Sequence, residues 1–598
     1  MPPTSLPCAC TTFLVASLAA ATASSAAAQQ PARETVSINF GWRYAPDPDG
    51  PAHGGDAHGP AVNSSAPAVD AKQAQADFDD SSWAVIDIPH DASVTGNYAS
   101  SENGGEGFLP LARTWYRKKI IAPESWGSET VTLVVDAALS TTTWYFNGKQ
   151  LLVQNPVGYL PTILELDVKA GAENTLACYV DGGLTTGWWY EGSGLIRSAR
   201  LVVTSSAAAV APFGISSPSF VDGTITPNGP KTSDGLQAAM VVMSPTATLV
   251  GAHTKKASVQ FTVVDAEGKF VATANDAAEQ ESMQKETPGS STVKSAVLHL
   301  NNTQLWSVAR PYMYILRVDV SIGGAVVDST TQSVGVRNLA WDAEQGLKVN
   351  EQRVKMRGAC NHESFTGVGA ALPDRIDLLR VQQMRGVGMN AWRTSHNPPE
   401  PVLLDLTDRL GVLVLDENRV LATDVNCQGS GCKNVPAYDG DPAADMGSLA
   451  KRDRNHPSVA WYSLCNEAGC GNGTLLAGDL VERAKEASYS NDGSRNVGAN
   501  MGWISPVAPR TPMSDALDVM GMSHASSSSV QAFQEMEPDK PLAMTECCSC
   551  QNQRGEDADQ PHNKTLVHYT SEVAGCLEEQ TSTSDDPEYV AGTFVWSE

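Results

Sequence analysis

The feature that most constrains this sequence is a change of pattern near residue 340. Beyond that point short apolar runs alternate with helical patterns, and the run Val459–Leu464 between Pro457 and Asn466 is an example. Apolar runs of this length that alternate with helices are typical of parallel βα units. About 250 residues of such units is the usual size of a (β/α)8 barrel. The sequence from 339 to 598 is therefore predicted to form an α/β TIM barrel.

Eight short runs are the predicted strands of this barrel. The first two are followed by predicted helices at Asp374–Met384 and Pro399–Leu410. The sequence stops at Glu598 before an eighth helix, so we expect a barrel that is incomplete at its C-terminus, from a fragment or a truncated gene model. The predicted strands are Val354–Met356, Asn390–Arg393, Val412–Leu415, Val459–Leu464, Asn496–Asn500, Val519–Met522, Leu542–Met544 and Gly592–Val595.

The chain before the barrel has the pattern of two all-β domains. A chain of 598 residues is too long for one core. From 31 to 205, short alternating runs separated by turn residues favour an antiparallel β-sandwich. From 216 to 338, runs such as Val259–Val264 and Tyr314–Ser321 suit an immunoglobulin-like sandwich of the usual seven strands.

The charge balance narrows the range of partners. The chain has 41 Lys and Arg against 67 Asp and Glu, a net charge of −26. Such a negative chain is unsuited to nucleic acid or to an anionic membrane surface. It is compatible with a neutral substrate such as a sugar.

The first 28 residues have the composition of a targeting segment. Thr11–Ala28 is rich in small apolar residues, and Ala26-Ala27-Ala28 resembles a signal-peptidase site. The first basic residue is Arg33, so the usual positive start is lacking and a short membrane anchor is the alternative. We expect a cleaved signal peptide at 1–28 and a secreted, extracellular or lumenal protein.

The twelve cysteines do not form a known metal pattern. Cys427 and Cys432 close a short Gly-rich loop and are a candidate disulfide in an oxidising compartment. The cluster Cys547–Cys550 lacks the paired spacing of a zinc site. Three cysteines beside the strand ends are expected to be buried small apolar residues: Cys360, Cys465 and Cys547.

Polar residues follow seven of the predicted strands. In a barrel these ends share one face, where such enzymes place their chemistry. Glu467 and Glu546 then come from strands four and seven, and a pair of carboxyl groups is what glycoside hydrolysis requires. The alternative is that strand ends are simply polar. The segments are Cys360–Glu363, Thr394–Asn397, Asp416–Arg419, Asn466-Glu467, Met522–His524, Thr545-Glu546 and Trp596.

Several of these segments resemble family 2 glycoside hydrolases, closest to the β-galactosidase branch. They are Met356–Glu363, Asn390–Pro399 with its Arg-Thr-Ser-His-Asn-Pro-Pro run, Asp416–Arg419, Arg454–Glu467 and Gly592–Trp596. The resemblance covers nearly the whole mature chain. It implies a jelly-roll, sugar-binding-type domain at 31–205, followed by the immunoglobulin-like domain and the catalytic barrel.

The resemblance implies a role for each residue of the site. Glu467 matches the general acid/base and Glu546 the nucleophile of an exo-acting enzyme that hydrolyses terminal β-D-galactosides by double displacement with retention. The implied substrate-binding residues are His362, Arg393, His396, Asn466, His524, which stands where many relatives have a tyrosine, and Trp596. The segment Tyr190–Arg197 matches one that reaches the barrel mouth.

Some features depart from the family pattern and leave alternatives open. The Glu-x-His pair that binds metal after the third strand in well-known galactosidases is absent from Asp416–Leu421, so no cofactor is expected, although Mg²⁺ remains conceivable. The alternative functions are a β-glucuronidase, a β-mannosidase or a non-catalytic carbohydrate-binding protein. The expected partner is a β-galactoside or related glycan, without nucleic acid or membrane, and the oligomeric state is open.

Overall fold

The computed structural model describes twelve stretches of the chain. They are 33–47, 70–100, 107–111, 113–154, 158–182, 190–227, 235–276, 291–419, 441–467, 475–501, 512–548 and 588–596. The predicted signal peptide, together with Cys427, Cys432 and Cys550, lies outside the described residues.

The first unit is an antiparallel β-sandwich. A four-stranded sheet, β1-β10-β5-β8, faces a six-stranded sheet, β3-β2-β4-β9-β6-β7. Buried aromatic and branched side chains, such as Trp42, Trp144 and Leu133, fill the space between the sheets. The strands are β1 (Arg33–Ser37), β2 (Trp42–Pro46), β3 (Ala84–Ile86), β4 (Arg113–Ile121), β5 (Glu129–Val135), β6 (Thr141–Phe146), β7 (Lys149–Gln154), β8 (Thr162–Leu166), β9 (Glu173–Asp181) and β10 (Ala199–Ser205).

The second unit is also an antiparallel sandwich, with the sheets β11-β14-β17, β12-β13-β18 and β16-β15-β19-β20. Along Ser258–Val264, buried apolar residues alternate with more exposed ones, as expected when one sheet face covers a core. The strands are β11 (Ala209–Ser216), β12 (Ser219–Pro227), β13 (Leu236–Met243), β14 (Thr246–Val250), β15 (Ser258–Val264), β16 (Phe270–Asn275), β17 (Thr292–Ser295), β18 (Leu298–Leu305), β19 (Tyr314–Ile322) and β20 (Ala325–Val334).

A small meander joins the second sandwich to the barrel. Its strands are β21 (Leu339–Asp342), β22 (Gly346–Val349) and β23 (Gln352–Arg353). Leu347 and Val349 are buried in one cluster with the barrel residues Trp461 and Phe594. The meander therefore packs against the interior of the barrel.

The third unit is a closed barrel of eight parallel strands. Closure is made by the last strand, in which Gly592 pairs with Met356 of the first. Every residue of Val459–Asn466 is buried, which explains why this run is almost continuously apolar. The strands are β24 (Met356–Asn361), β25 (Ala391–Thr394), β26 (Leu413–Glu417), β27 (Val459–Asn466), β28 (Asn496–Met501), β29 (Val519–Ser523), β30 (Leu542–Cys547) and β31 (Val590–Val595).

Six helices of the described residues accompany these strands, and local sequence explains several of their ends. Gly411 adopts the left-handed conformation (φ 68°) that ends α2, and the side chains of Asp441 and Ser526 accept from the first turns of α3 and α6. None of the described helices is long and apolar enough to span a bilayer. The helices are α1 (Asp374–Gly386), α2 (Pro401–Leu410), α3 (Pro442–Asp453), α4 (Leu475–Asn491), α5 (Pro512–Ala516) and α6 (Ser527–Met536).

The predicted architecture of two β-sandwich units and a TIM barrel is confirmed. The predicted first barrel strand, Val354–Met356, was wrong, because the strand begins at Met356 and continues to Asn361. Val354 instead donates its N–H to the carbonyl of Leu347, so this apolar residue extends the meander.

Candidate active site

Polar side chains from several strands meet at the carboxyl ends of the barrel. Arg393, Glu417, Asn466 and Glu546 lie in the last residues of β25, β26, β27 and β30, and all four are buried. Along a barrel strand, side chains point alternately inward and outward. Polar side chains at the carboxyl end of a strand lie at the mouth of the barrel and therefore stay outside the apolar core. This is the face at which TIM barrels carry their active sites.

The guanidinium of Arg393 connects these strands. It donates from Nη2 to Glu417 Oε2 at 2.9 Å and to Asn466 Oδ1 at 2.7 Å, and from Nη1 to Glu546 Oε2 at 2.8 Å. The Arg393 side chain is fully buried. A buried guanidinium requires such complete pairing, and the two carboxylates raise its pKa against the opposing effect of burial. Arg393 therefore holds the mouth of the barrel in one arrangement.

Glu546 is held in its ionised form. Burial alone would raise its pKa, but the hydrogen bond between His524 Nε2 and Glu546 Oε1, 2.9 Å, and the charge of Arg393 override burial and lower the pKa to about 2. Asn500 also donates to Glu546 Oε2, at 3.3 Å. The carboxylate is therefore unprotonated at neutral pH, as a nucleophile must be.

Glu467 lies directly after β27, opposite Glu546. Its Oε1 accepts a hydrogen bond from the hydroxyl of Ser523 at 2.7 Å. One oxygen of Glu467, one oxygen of Glu546 and one ring nitrogen of His524 all lie within 4.8 Å of one another. Unlike Glu546, Glu467 is only partly buried, so a substrate can reach it. The two predicted catalytic residues are thus brought together.

The amide of Asn466 is oriented by its neighbours. Its Oδ1 accepts from Arg393 and, at 2.6 Å, from Asn500 Nδ2. With the oxygen used in this way, the NH₂ group is the part of the side chain that can donate to a ligand. This orientation suits a donor to a sugar hydroxyl.

Three aromatic rings form one wall of the mouth. The rings of Trp596 and His396 are stacked, with centroids 5.5 Å apart and an interplanar angle of 12°. His362 meets both edge-on, at 5.0 Å from Trp596 and 5.3 Å from His396. His396 is held in place by its Nδ1, 2.7 Å from Glu417 Oε1. Burial lowers the pKa of His362 far below its usual value, so His362 is neutral.

The first sandwich contributes residues at the edge of the mouth. Arg197 donates from Nε to Glu363 Oε1 at 2.8 Å, and Arg419 Nη2 lies 3.1 Å from Glu191 Oε2. Each of these ion pairs joins the sandwich to a residue that follows a barrel strand. The segment Tyr190–Arg197 therefore reaches the barrel mouth.

Three residues at the site had no role in the sequence analysis. Glu417 was named only as a strand-end residue, yet it anchors both Arg393 and His396. Asn500 and Ser523 form hydrogen bonds with the carboxylates of Glu546 and Glu467, respectively. The sequence could have indicated that these residues lie at the mouth of the barrel, since all three are polar residues at the carboxyl ends of apolar runs. What the sequence did not contain was the pairing between them.

All three cysteines beside the strand ends are buried, as expected, but two of them are disulfide-bonded. Cys360 is buried and reduced, and burial raises the pKa of its thiol to about 12. Cys547 forms a disulfide with its neighbour Cys548, and Cys465 is also disulfide-bonded. The disulfide bonds could not be predicted from burial, because a buried cysteine can be reduced or oxidised and its three-dimensional neighbours decide between the two states.

Among the described residues, two groups of at least three acidic or histidine side chains bring their ligand atoms close enough together to hold a metal ion. One is Glu467, His524 and Glu546 themselves, and the other is Asp405, Asp408 and His456. In the second group Asp408 Oδ2 is already bonded to His456 Nδ1 at 2.7 Å. The expectation of no cofactor stays a prediction.

Family models match the second sandwich and the barrel. Residues 225–337 match the model "Glycosyl hydrolases family 2", and residues 343–597 match "Glycosyl hydrolases family 2, TIM barrel domain". The chain belongs to glycosyl hydrolase family 2. The resemblance seen in the sequence is thereby confirmed.

Relatives within family 2 carry two kinds of name. The β-galactosidase BoGH2A of Bacteroides ovatus is 31% identical over 402 residues, which are 66% of this chain and 44% of that protein. A putative β-glucuronidase of Formosa agariphila is 28% identical over 400 residues, which are 65% of this chain and 35% of that protein. The chain thus spans less than half the length of these curated relatives.

Solved structures share the fold. A family 2 member from Bacteroides cellulosilyticus superimposes with a TM-score of 0.71 at 23% identity, over 94% of this chain and 67% of the other. At this identity the likeness concerns the fold alone.

Proposed function

We propose that this chain hydrolyses terminal β-D-galactosides by double displacement with retention, with Glu546 as the nucleophile and Glu467 as the general acid/base. The observation that carries the proposal is the approach of their carboxylate oxygens to within 4.8 Å. Retaining enzymes place the two carboxyl groups about 5–5.5 Å apart, whereas inverting enzymes leave about 6.5–9.5 Å for a water molecule. The spacing thus supports retention.

In the first step, a carboxylate oxygen of Glu546 attacks the anomeric carbon. The glycosidic C–O bond breaks, its electron pair moves to the leaving oxygen, and protonated Glu467 donates a proton to that oxygen. The low pKa of Glu546, about 2, keeps the attacking carboxylate ionised. The NH₂ group of Asn466 donates to the sugar 2-hydroxyl, an interaction that strengthens as the oxocarbenium-like transition state forms.

In the second step, water releases the sugar from Glu546. Glu467, now ionised, removes a proton from the water as its oxygen attacks the anomeric carbon. The bond between the sugar and Glu546 breaks with its electron pair returning to the carboxylate. His524 and Arg393, which both bond Glu546, stabilise the carboxylate that leaves. The configuration at the anomeric carbon is therefore retained.

A neutral sugar suits the described part of the mouth better than a uronate. Recognition of a sugar carboxylate needs a cation that faces the substrate. The three arginines at the described mouth are each paired with protein carboxylates: Arg393 with Glu417 and Glu546, Arg197 with Glu363, and Arg419 with Glu191. This pairing favours a galactoside over a glucuronide.

The second candidate is a β-glucuronidase, because relatives with that name match the chain over a similar length. Rates on 4-nitrophenyl β-galactoside and β-glucuronide separate the two, with the Glu546→Gln variant as the control for background hydrolysis. We expect kcat/KM for the galactoside to be at least about 100-fold higher. A higher value for the glucuronide would replace the galactosidase proposal with this second one.

We also propose that residues 1–28 direct secretion. The support is the small apolar segment that ends at Ala28, together with the disulfide Cys547–Cys548, a bond that persists in oxidising compartments. N-terminal sequencing of the protein exported from a secretory host is expected to begin at Gln29. Recovery of the chain inside the cell with Met1 retained would contradict this proposal.

A further inference from the structure

A small cavity lies behind His362, between the first two βα units of the barrel. Its volume is about 20 Å³, and its lining includes Asn361, Asp377 and Glu400. Asp377 is in the first turn of α1, and Glu400 is the residue that precedes α2. A space of this size holds one water molecule or one small ion.

Each of two buried carboxylates that line this cavity has one oxygen without a hydrogen-bond donor. Asp377 is 2% exposed and Glu400 is 6% exposed. Asp377 Oδ2 and Glu400 Oε2 are both buried and have no hydrogen-bond partner in the protein. A buried carboxylate oxygen without a partner is unfavourable, since it has lost its hydration and gained nothing in return. Asp377 lies in α1 and Glu400 directly precedes α2, so the packing of these two elements brings both side chains to the cavity.

The neighbouring guanidinium groups neutralise these carboxylates only in part. Arg197 is engaged by Glu363 through both Nε and Nη2. Arg380 donates to the carbonyl of His362 at 2.8 Å, and its Nη1 stays 3.9 Å from Asp377 Oδ1. The cluster thus has two guanidinium groups and the three carboxylates of Glu363, Asp377 and Glu400, so its charge when ionised is 2 − 3 = −1.

We propose that this cavity binds one alkali-metal cation, Na⁺ or K⁺, coordinated by Asp377 and Glu400. A monovalent cation makes the cluster neutral, whereas a divalent ion would leave a buried positive charge. Residues with carboxylate and amide side chains line the cavity, and hard cations prefer the oxygen ligands that such groups offer.

The competing way to neutralise the cluster is a proton. Burial raises the pKa of Asp377 to about 7 and also raises that of Glu400. A carboxyl group whose pKa is raised on folding stabilises the fold progressively as the pH falls through that value. A proton and a metal cation therefore predict different dependences of stability on pH and on salt.

The test is the melting temperature of the full chain at pH 8 in NaCl, KCl or N-methyl-D-glucamine chloride, at equal ionic strength. We expect a melting temperature at least about 2 °C higher in one of the two metal salts, since a ligand bound only to the folded state stabilises it. The shift is expected to vanish in Asp377→Asn and in Glu400→Gln. The matched control is Asp374→Asn, which changes an exposed carboxylate one turn earlier in α1 and should keep the shift.

A second measurement on the unmodified chain covers the case in which the variants fail to fold. Crystals soaked in thallium(I) acetate, with Tl⁺ as the mimic of K⁺, should show an anomalous peak between Asp377 and Glu400. The proposal is overturned by equal melting temperatures in the three salts, with stability that rises only as the pH is lowered from 8 to 6. It is equally overturned by a shift that both cavity variants retain. Neither readout depends on glycosidase activity.

Discussion

At the scale of single residues, the two proposed catalytic glutamates differ in their surroundings although both lie at strand ends. Glu546 is 4% exposed and bonds with Arg393 and His524, which carry or can carry positive charge. Glu467 accepts from the neutral hydroxyl of Ser523. A proton donor and a nucleophile require such unequal environments. The different roles proposed for the two glutamates therefore follow from the neighbours of each carboxyl group.

His524 is expected to titrate above its usual pKa of 6.5. The hydrogen bond to Glu546 raises its pKa and outweighs the opposing effect of partial burial. Histidine ¹³Cε1 NMR, with the signal assigned by its loss in His524→Gln, should give a pKa above 6.5 in the unmodified chain. In Glu546→Gln the pKa should fall towards 6.5, because the carboxylate charge is gone.

The raised pKa of His524 determines how its pair with Glu546 changes the stability of the fold with pH. Because folding raises the pKa of His524, the pair with Glu546 stabilises the fold fully at pH values below 6.5, and the contribution is lost as the pH rises through the raised pKa. A pKa for His524 at or below 6.5 in the unmodified chain would show that the pair is not formed.

At the scale of elements, most barrel strands were predictable because they are buried on both faces. Runs such as Val459–Leu464 stand out in the sequence for that reason. The predicted strands stopped too early, since Glu417, Asn466 and Glu546 belong to the strands themselves. In the sequence, polar residues were interpreted as the end of each of these strands. In the structure, the backbone hydrogen bonds between strands continue through the polar residues whose side chains face the mouth.

Helix α6 offers a test of local structure next to the site. The hydroxyl of Ser526 accepts from the N–H of Ser529 at 3.2 Å and caps the helix. Ser526→Ala should lower the stability of the barrel by about 1 kcal/mol, because the donor in the first turn loses its acceptor. That corresponds to a melting temperature lower by about 2–4 °C for a domain of this size.

The matched control for this cap is Ser527→Ala. Ser527 is exposed and is the first residue of α6, so it has the same chemistry without the capping position. It should leave the melting temperature within about 1 °C, as expected for most exposed substitutions. Equal effects of the two changes would contradict the capping role of Ser526.

At the scale of the whole molecule, the first sandwich helps to build the mouth of the barrel. Arg33 joins the two sandwiches through Asp328 at 2.7 Å, and Arg197 joins the first sandwich to Glu363. These contacts could not be derived from sequence patterns, since they pair residues 295 and 166 positions apart. Periodicity predicts elements, whereas ion pairs between units depend on how the units pack.

Breaking the pair between Arg197 and Glu363 should affect both stability and activity. Arg197→Met leaves the Glu363 carboxylate, whose side chain is 9% exposed, without its cation, at a cost of about 3–5 kcal/mol. Because Glu363 adjoins His362 at the proposed sugar subsite, KM for the galactoside should rise more than kcat falls. Thermal unfolding and steady-state kinetics measure the two effects.

The matched control for this pair is Arg317→Met. Arg317 also pairs with a carboxylate, Asp319, but its side chain is 55% exposed and lies in the second sandwich. An exposed pair contributes roughly 0–1 kcal/mol, so we expect little change in stability or in KM. If Arg197→Met behaved like this control, the sandwich would have no part in shaping the mouth.

The central claim, that Glu546 is the nucleophile of a retaining galactosidase, is tested most directly by trapping the covalent intermediate. A 2-deoxy-2-fluoro-β-galactoside with a good leaving group forms the glycosyl-enzyme but releases it slowly, because fluorine at C2 destabilises the oxocarbenium-like transition state. Intact mass spectrometry should show one added glycosyl group, and peptide mapping should locate it on Glu546. Absence of any adduct while the fluorosugar is consumed, or an adduct on a residue other than Glu546, would contradict the claim.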